Sequence, residues 1–413
     1  MNSEILPANF FRHEYGKLIA ILTCRFGKQY MDDIEDAVQI ALMKATERWP
    51  QEGFPREPSA WLFKVAKNNL LDHIKKDSNR TQLQQTKLQQ ENVFEEPIDP
   101  HYSHEVHDEM LKMMFICCHG SLPDNSKLVL ALKILCGFSI KEIALRLFAK
   151  EDSIQKRYSR AKEVLKHEKE NLMELSFIHL KERASNVKEV LYLLFTEGYL
   201  SSHSEEAIRK ELCDEAIRLT TILAEHPSGN DPDTFALLAL MYFHVARLPS
   251  RQDENGQLLL LQEQNRCLWN KQTIQQGMQW LTKSAHGAQI SRYHAEAAIA
   301  AEHCMAPSLA ETRWEHIIHY YQLLESLNPS PVHRLNRVVA MAEAGKNMEG
   351  LEILQSIQAP KWLQDTFLWN VVHADIYFRC KLENEALTYL AIANKLAPSE
   401  EVKKLLKRRF KAS

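Results

Sequence analysis

Five side chains in one short stretch carry the strongest chemical signal in this sequence. Gln155, Lys156, Arg157, Ser159 and Arg160 alternate with Ile154, Tyr158, Ala161 and Leu165 at helical spacing. An apolar stripe therefore turns inward, and amide, hydroxyl and cationic groups, with Lys162, remain on the flanks and outer face. Guanidinium, ammonium and carboxamide groups suit phosphate oxygens and the base edges of a major groove. Residues 150–169 hold seven Lys/Arg against four Asp/Glu, in a chain whose net charge is only −3. A local basic surface of this kind, and not the balance of the whole protein, is what nucleic acid selects.

A groove-reading helix needs a partner that holds it. The stretch Phe138–Leu165 (FSIKEIALRLFAKEDSIQKRYSRAKEVL) reads as two short amphipathic helices joined by a tight turn, a helix-turn-helix pattern. Ile140, Ile143, Ala144 and Leu147 form the stripe of the first helix, and Glu151, Asp152 or Ser153 is placed to cap the second. The turn carries Phe148 where many such turns have glycine, which leaves the register of the second helix open by a residue or two.

Upstream, helices are expected over 10–27, 31–49 and 59–76. Asp33–Trp49 is amphipathic, with Ile34, Val38, Ala41, Leu42 and Ala45 inward. Asp32, Asp33, Glu35 and Asp36 suit the positive end of its dipole. Pro58-Ser59-Ala60 opens the next helix and Trp61 leads it, with Lys64, Lys67, Asn68, Leu71 and Lys75 along one side. Cations beside an aromatic ring and amides suit a phosphate backbone with unpaired bases.

The composition bounds the rest. A chain of 413 residues rich in Leu, Ala, Glu and Lys and sparing in Gly and Pro indicates two or three all-α domains. No run of about 18 apolar residues and no basic region followed by an apolar core occurs, so neither a membrane span nor a secretory signal is expected. Eight cysteines without disulfide-scaffold spacing point to free thiols and a cytoplasmic location. Residues 77–103 are Gln-rich with weak periodicity and read as a linker. Beyond about 171 a helical succession runs to the C-terminus, and the similar stretches around Gly345 and Cys380 suggest tetratricopeptide-like helix pairs.

Several motifs are set aside. His104 and His107 lie at i, i+3, where a zinc helix needs i, i+4, and adjacent Cys117 and Cys118 diverge on a helix, so no metal is expected. Asp253–Gly256 resembles the middle of a calcium loop, but Arg251 and Gln262 would occupy positions that require acids. Lys403–Lys411 reads as a solvated helix end, with contact to nucleic acid or core polymerase as the rarer alternative. No nucleophile, base and phosphate cradle come together, so neither an enzyme nor a cofactor is expected, although an active site around Asp253 and Arg266 stands as a rival reading.

The order of the pieces is the specific feature: acidic helix, Pro-rich turn, Trp-led basic helix, polar linker, helix-turn-helix. DIEDAVQIALMKATERWP at 33–50, PSAWLFKVAKNNLLDHIKK at 58–76 and the 138–165 stretch together resemble the bacterial sigma-70 family, specifically its small extracytoplasmic-function members. LYLLFTEGYLSS at 191–202, RQDENGQLLLLQEQNRCLWN at 251–270 and NPSPVHRLNRVVAMAEAG at 328–345 resemble a subgroup with a long tetratricopeptide-like extension.

The resemblance implies an all-α chain in four parts: region 2 over 1–80, a linker over 81–103, region 4 over 104–170 and a helical-repeat extension over 171–413. Asp33, Asp36, Gln39 and Leu42 would contact core RNA polymerase. Trp61, Lys64, Lys67, Asn68 and Asn69 would engage the −10 element of promoter DNA, and Gln155, Lys156, Arg157, Ser159 and Arg160 the −35 element. The extension would modulate activity, in cis or through a regulatory protein. The rival from another class is a one-component regulator that uses the helix-turn-helix alone under a tetratricopeptide sensor domain.

Overall fold

A computed structural model describes residues 10–81, 102–147, 149–168, 177–199, 208–254, 259–287, 289–397 and 400–411. The chain divides into two compact units, Met1–Val190 with His226–Ser228, and Leu191–Glu225 with Gly229–Ser413. The described residues are helical almost throughout, and none of their helices is long and apolar enough to cross a membrane.

In the first unit α1 (Phe10–Phe26), α2 (Met31–Glu52) and α3 (Pro58–Thr81) pack together. The expected stripe of α2 holds: Ile34, Val38, Ala41 and Ala45 are buried, with Leu42 only half-buried. They join Leu18, Ile19 and Leu22 of α1 and Leu62, Ala66 and Leu70 of α3 in the core. Helix α3 runs five residues beyond its expected end, into the stretch read as linker. Then follow α4 (Tyr102–Cys117), α5 (Asp124–Leu130) with a π-helical turn over Ala131–Leu135, α6 (Ile140–Arg146) and α7 (Glu151–His167).

Helix α1 belongs to both sets, since it also packs on α4 and the π-helical turn. Two glycines permit that approach. A Cβ on Gly16 would stand 2.6 Å from the Leu135 carbonyl oxygen. Gly137 sits at φ +68°, and its Cβ would stand 2.6 Å from the Arg12 carbonyl oxygen. Arg12 seals the joint, its guanidinium 4.3 Å over the Phe138 ring and 2.9 Å from Glu142.

The second unit begins with the end of α8 (Phe177–Tyr199), followed by α9 (Lys210–Glu225) and α10 (Pro232–Ala246). The described residues of the strap, 251–254 and 259–270, are largely non-helical, and α11 (Lys271–Ser284), α12 (Arg292–Met305) and α13 (Trp314–Leu327) follow. Leu240, Phe243, Ala297 and Cys304 form one core, and Ile299, Ile317, Leu324 and Met341 the next.

Two helix pairs follow, α14 (Pro331–Glu343) with α15 (Asn347–Ser356), then, after the short α16 (Lys361–Gln364), α17 (Phe367–Arg379) with α18 (Glu383–Leu396). Both helices of the second pair begin 36 residues after those of the first, 331 to 367 and 347 to 383. The two tight turns use left-handed residues at matching places, Gly345 at φ 81° and Lys381 at φ 60°. Leu335, Val338, Leu351, Leu354, Trp369 and Ile376 make their shared core.

The final helix, α19 (Glu400–Lys411), keeps Lys404 and Lys407 in solvent as expected but packs its other side. Leu406 is buried, Phe410 packs 5.3 Å from Phe378, and Arg409 pairs with Asp375 at 2.8 Å.

Candidate nucleic-acid interface

The helix-turn-helix is built by local signals. Ser139 caps α6 by accepting from the Glu142 amide at 3.1 Å, and Glu142 returns a bond from the Ser139 amide at 2.8 Å, a complete capping box. The Leu147 amide donates to Ile143 at 2.8 Å and the Ala149 amide to Ala144 at 3.0 Å, so α6 closes with a Schellman-like bond. Phe148 itself lies outside the described residues. The N-cap of α7 is Lys150, which makes no side-chain capping bond; Glu151, Asp152 and Ser153 stand inside the first turn, where the two acids serve the dipole.

Ile154, Tyr158, Ala161 and Leu165 are buried, as their spacing requires. Gln155, Lys156, Ser159 and Arg160 are exposed and Arg157 is half-buried, so the five share the outer side of α7. Gln155 donates to Ser159 at 3.3 Å, which aligns the two polar side chains. The face is solvated and cationic, with nothing in it suited to bond-making chemistry.

Lys162 departs from expectation. Placed by spacing among the residues of the flanks and outer face, it is 12 % exposed and turned to α2, where it pairs with Asp32 and stands 3.3 Å from Glu35. Lys166 pairs with the other oxygen of Asp32, and the Tyr158 hydroxyl donates to Glu35. Hydrogen bonds from Lys162 and Lys166 pull the Asp32 carboxyl below its ordinary value, and the bond to Asp32 raises Lys166. Burial pushes Glu35 the other way, upward, against the opposing charges of Lys162 and Lys133. Lys133 is itself lowered by burial. These contacts were invisible in the sequence: Asp32 and Glu35 are explained there by the dipole of their own helix, and their partners lie about 130 residues away.

The remaining positions are ordered by the same three helices. Asp36 and Gln39 are exposed on α2, Asp33 and Leu42 half-buried, and Met43 beside them is 54 % exposed. Trp49 centres an aromatic group, stacked by Phe11 at 5.6 Å and met edge-on by Phe54 and Trp61 at 5.7 and 5.5 Å. Trp61 is therefore half-buried, while Lys64 and Asn68 are exposed and Lys67 is half-buried. Asn69 faces inward to the bundle: its amide donates to Val65 at 2.6 Å and its oxygen accepts from Lys44 at 3.4 Å.

No described group of three or more His, Cys, Asp or Glu could hold a metal ion. Cys117 and Cys118 are buried thiols, the latter pushed up to about 12 by burial. The side chains of His104 and His107 lie outside the described residues.

Residues 10–80 match the family model of sigma-70 region 2 and residues 112–165 that of sigma-70 region 4. The chain belongs to the sigma-70 family. Its members are non-enzymatic initiation factors that bind core RNA polymerase and promoter DNA, and this chain carries both domains of that role. Residues 183–285 match a family of unknown function, DUF6596. An uncharacterised protein of Rhizobium meliloti (strain 1021) is 34 % identical over 320 residues, covering 76 % of this chain and 74 % of its own length.

Proposed function

We propose that this sigma factor is an extracytoplasmic-function type that reads two promoter elements with separate helices and is modulated by its helical extension. The boundaries are region 2 over 1–80, a linker over 81–103, region 4 over 104–170 and the extension from 171. Gln155, Lys156, Arg157, Ser159 and Arg160 enter the major groove at −35. Trp61, Lys64, Lys67 and Asn68 serve the −10 strand, and Asn69 supports them from within the bundle. Asp33, Asp36, Gln39 and Leu42 dock on core polymerase.

The observation that carries this reading is the solvated polar side of α7, kept open while its opposite side is fully packed. It agrees with the matches to both sigma regions. The two readers also have to separate. Elements centred roughly 25 base pairs apart are on the order of 80 Å apart at 3.4 Å per base pair, whereas α2 and α7 touch here. Parting them frees Lys162 and Lys166 beside the DNA-reading side and Asp32 and Glu35 beside the polymerase-docking side.

The extension is read as a tetratricopeptide-like platform, supported by the 36-residue recurrence of α14–α15 in α17–α18. Reconstitution with core polymerase tests the whole reading. Promoter-specific transcripts are expected without any other sigma factor, and duplex binding without such transcripts overturns it. Comparing the full chain with one ending at residue 170 gives the sign of the extension's effect; equal promoter output from both would remove the modulating role.

A further inference from the structure

The second unit holds a group of cations that no carboxylate faces among the described residues. Arg247 follows α10, Arg251 opens the strap, and Arg266 stands in a short 3-10 turn just before α11. Arg247 and Arg266 both lie over the buried Trp269 indole, 5.1 and 4.7 Å from its centre, and Trp269 is itself tied to Ser250 at 2.5 Å. Arg251 lies 4.1 Å over the Tyr199 ring and donates to the Tyr199 carbonyl. Arg266 uses Nη1 on the His303 and Ala306 carbonyls at 2.8 and 2.6 Å, closing the end of α12.

Four nitrogens are left over. Arg247 Nε, Arg266 Nη2, His244 Nδ1 and His303 Nδ1 are shut off from solvent and have no hydrogen-bond partner. Among the described residues, no carboxylate pairs with any of the three arginines. The charges that depress His244, His303 and Arg266, after burial itself, are those of these same neighbours, Arg247 foremost.

A folded chain seldom leaves charged donors dry and unpaired, because the lost hydration is not returned. An aromatic face stabilises a guanidinium but leaves its edge N–H groups unused. An oxygen anion supplies both the missing acceptors and the missing charge. Two forked guanidiniums with a third nearby favour a dianion over a single carboxylate, and a phosphate monoester carries about −1.5 to −2 at pH 7.

We infer that Arg247 and Arg266, over Trp269, with Arg251 over the neighbouring Tyr199 ring, form a binding site for a phosphate group, either as inorganic phosphate or as the phosphate of a small phosphomonoester. Arg247 Nε and Arg266 Nη2 are the donors that the ligand completes. The site does not depend on the promoter-reading role of the first unit, and it gives the extension a ligand of its own.

Thermal unfolding of the full-length chain tests it, with inorganic phosphate or glycerol phosphate titrated at ionic strength held constant by chloride. A saturable rise in Tm is expected with phosphate, because a ligand that binds only the folded chain stabilises it. A larger rise with glycerol phosphate would identify the esterified form, and a rise with inorganic phosphate alone the free ion. Arg247→Met should lose the rise while its Tm without phosphate stays level or increases, a result that removal of a merely structural residue would not give. The exposed Lys361→Gln should keep the full rise. Absence of any rise over the chloride control, an equal rise in Arg247→Met, or an equal rise with malonate would each overturn the proposal. Should Arg247→Met fail to fold, the phosphorus-31 resonance of phosphate mixed with the unaltered chain decides: broadening supports the site and an unbroadened line removes it.

Discussion

The phenol of Tyr158, on the inward side of α7, donates to the buried carboxylate of Glu35 on α2, 123 residues earlier in the chain. One hydrogen bond thus joins the helix proposed to read DNA to the helix proposed to dock on polymerase. A carboxylate in that setting is expensive unless its oxygens are occupied, and Tyr158 and Lys162 take one each.

Removing the donor should therefore loosen this joint. Tyr158→Phe is expected to cost about 1–3 kcal/mol, the usual penalty for a buried polar group left without its partner. Chemical denaturation of the full chain measures it, with Glu35→Gln as the companion. Burial raises the Glu35 carboxyl, so its contribution is complete below the ordinary glutamate range and is lost as pH rises through the elevated value. Glu35→Gln should flatten that part of the pH profile, and an unchanged profile would show that Glu35 does not govern it.

Asp32 holds two lysines that DNA could use. Asp32→Asn should release Lys162 and Lys166 and steepen the dependence of duplex binding on salt by about one to two units of slope, close to 0.9 per phosphate neutralised. Fluorescence anisotropy across a salt series reads this directly. The stability change should stay within about 1 kcal/mol, because Asp32 is half exposed and its pairs are solvent-screened.

Arg157→Ala and Arg160→Ala should each weaken binding to the −35 element by about 1–3 kcal/mol if they contact base edges. Binding to core polymerase should not change. A loss of polymerase affinity in either variant would contradict the assignment.

On α3 exposure separates two kinds of residue. Lys64→Ala and Asn68→Ala should impair promoter opening, followed by permanganate reactivity, with Tm unchanged. Asn69→Ala and Trp61→Ala should lower Tm as well, through the bonds to Val65 and Lys44 and the contact with Trp49. Equal thermal losses in all four variants would remove the distinction.

His303 is held down to about 3 by burial and by Arg247 and Arg266, against an ordinary value of 6.5. Its contribution to stability is complete above the ordinary value and is lost progressively as pH falls from there toward 3, at about 1.4 kcal/mol per pH unit. His303→Gln should reduce the pH slope of second-unit stability between pH 6.5 and 4 by about that amount, leaving the share of His244 in place.

The local patterns were legible because each is short-range physics. The stripe Ile154, Tyr158, Ala161 and Leu165 fixed the inward side of α7, and with it the outward side that carries Gln155 and Arg160. The acids at the start of α2 and the Pro-Ser-Ala opening of α3 set where those helices begin. The lysines of Lys403–Lys411 mark a solvated side, with Lys404 and Lys407 exposed, but charge density says nothing about whether Phe410 and Arg409 find Phe378 and Asp375.

By itself the sequence determined the helices, their polar and apolar sides and their order, since periodicity and capping act over a few residues. Only the tertiary structure decided which polar groups meet. Lys162 looks solvent-facing on its own helix and is half-buried against Asp32; Arg247 and Arg266 lie 19 residues apart in the chain and only the fold brings both over one indole. Electrostatic partners are chosen by distance in space, and a chain that brings residue 35 to residue 158 leaves no mark of that choice at either position.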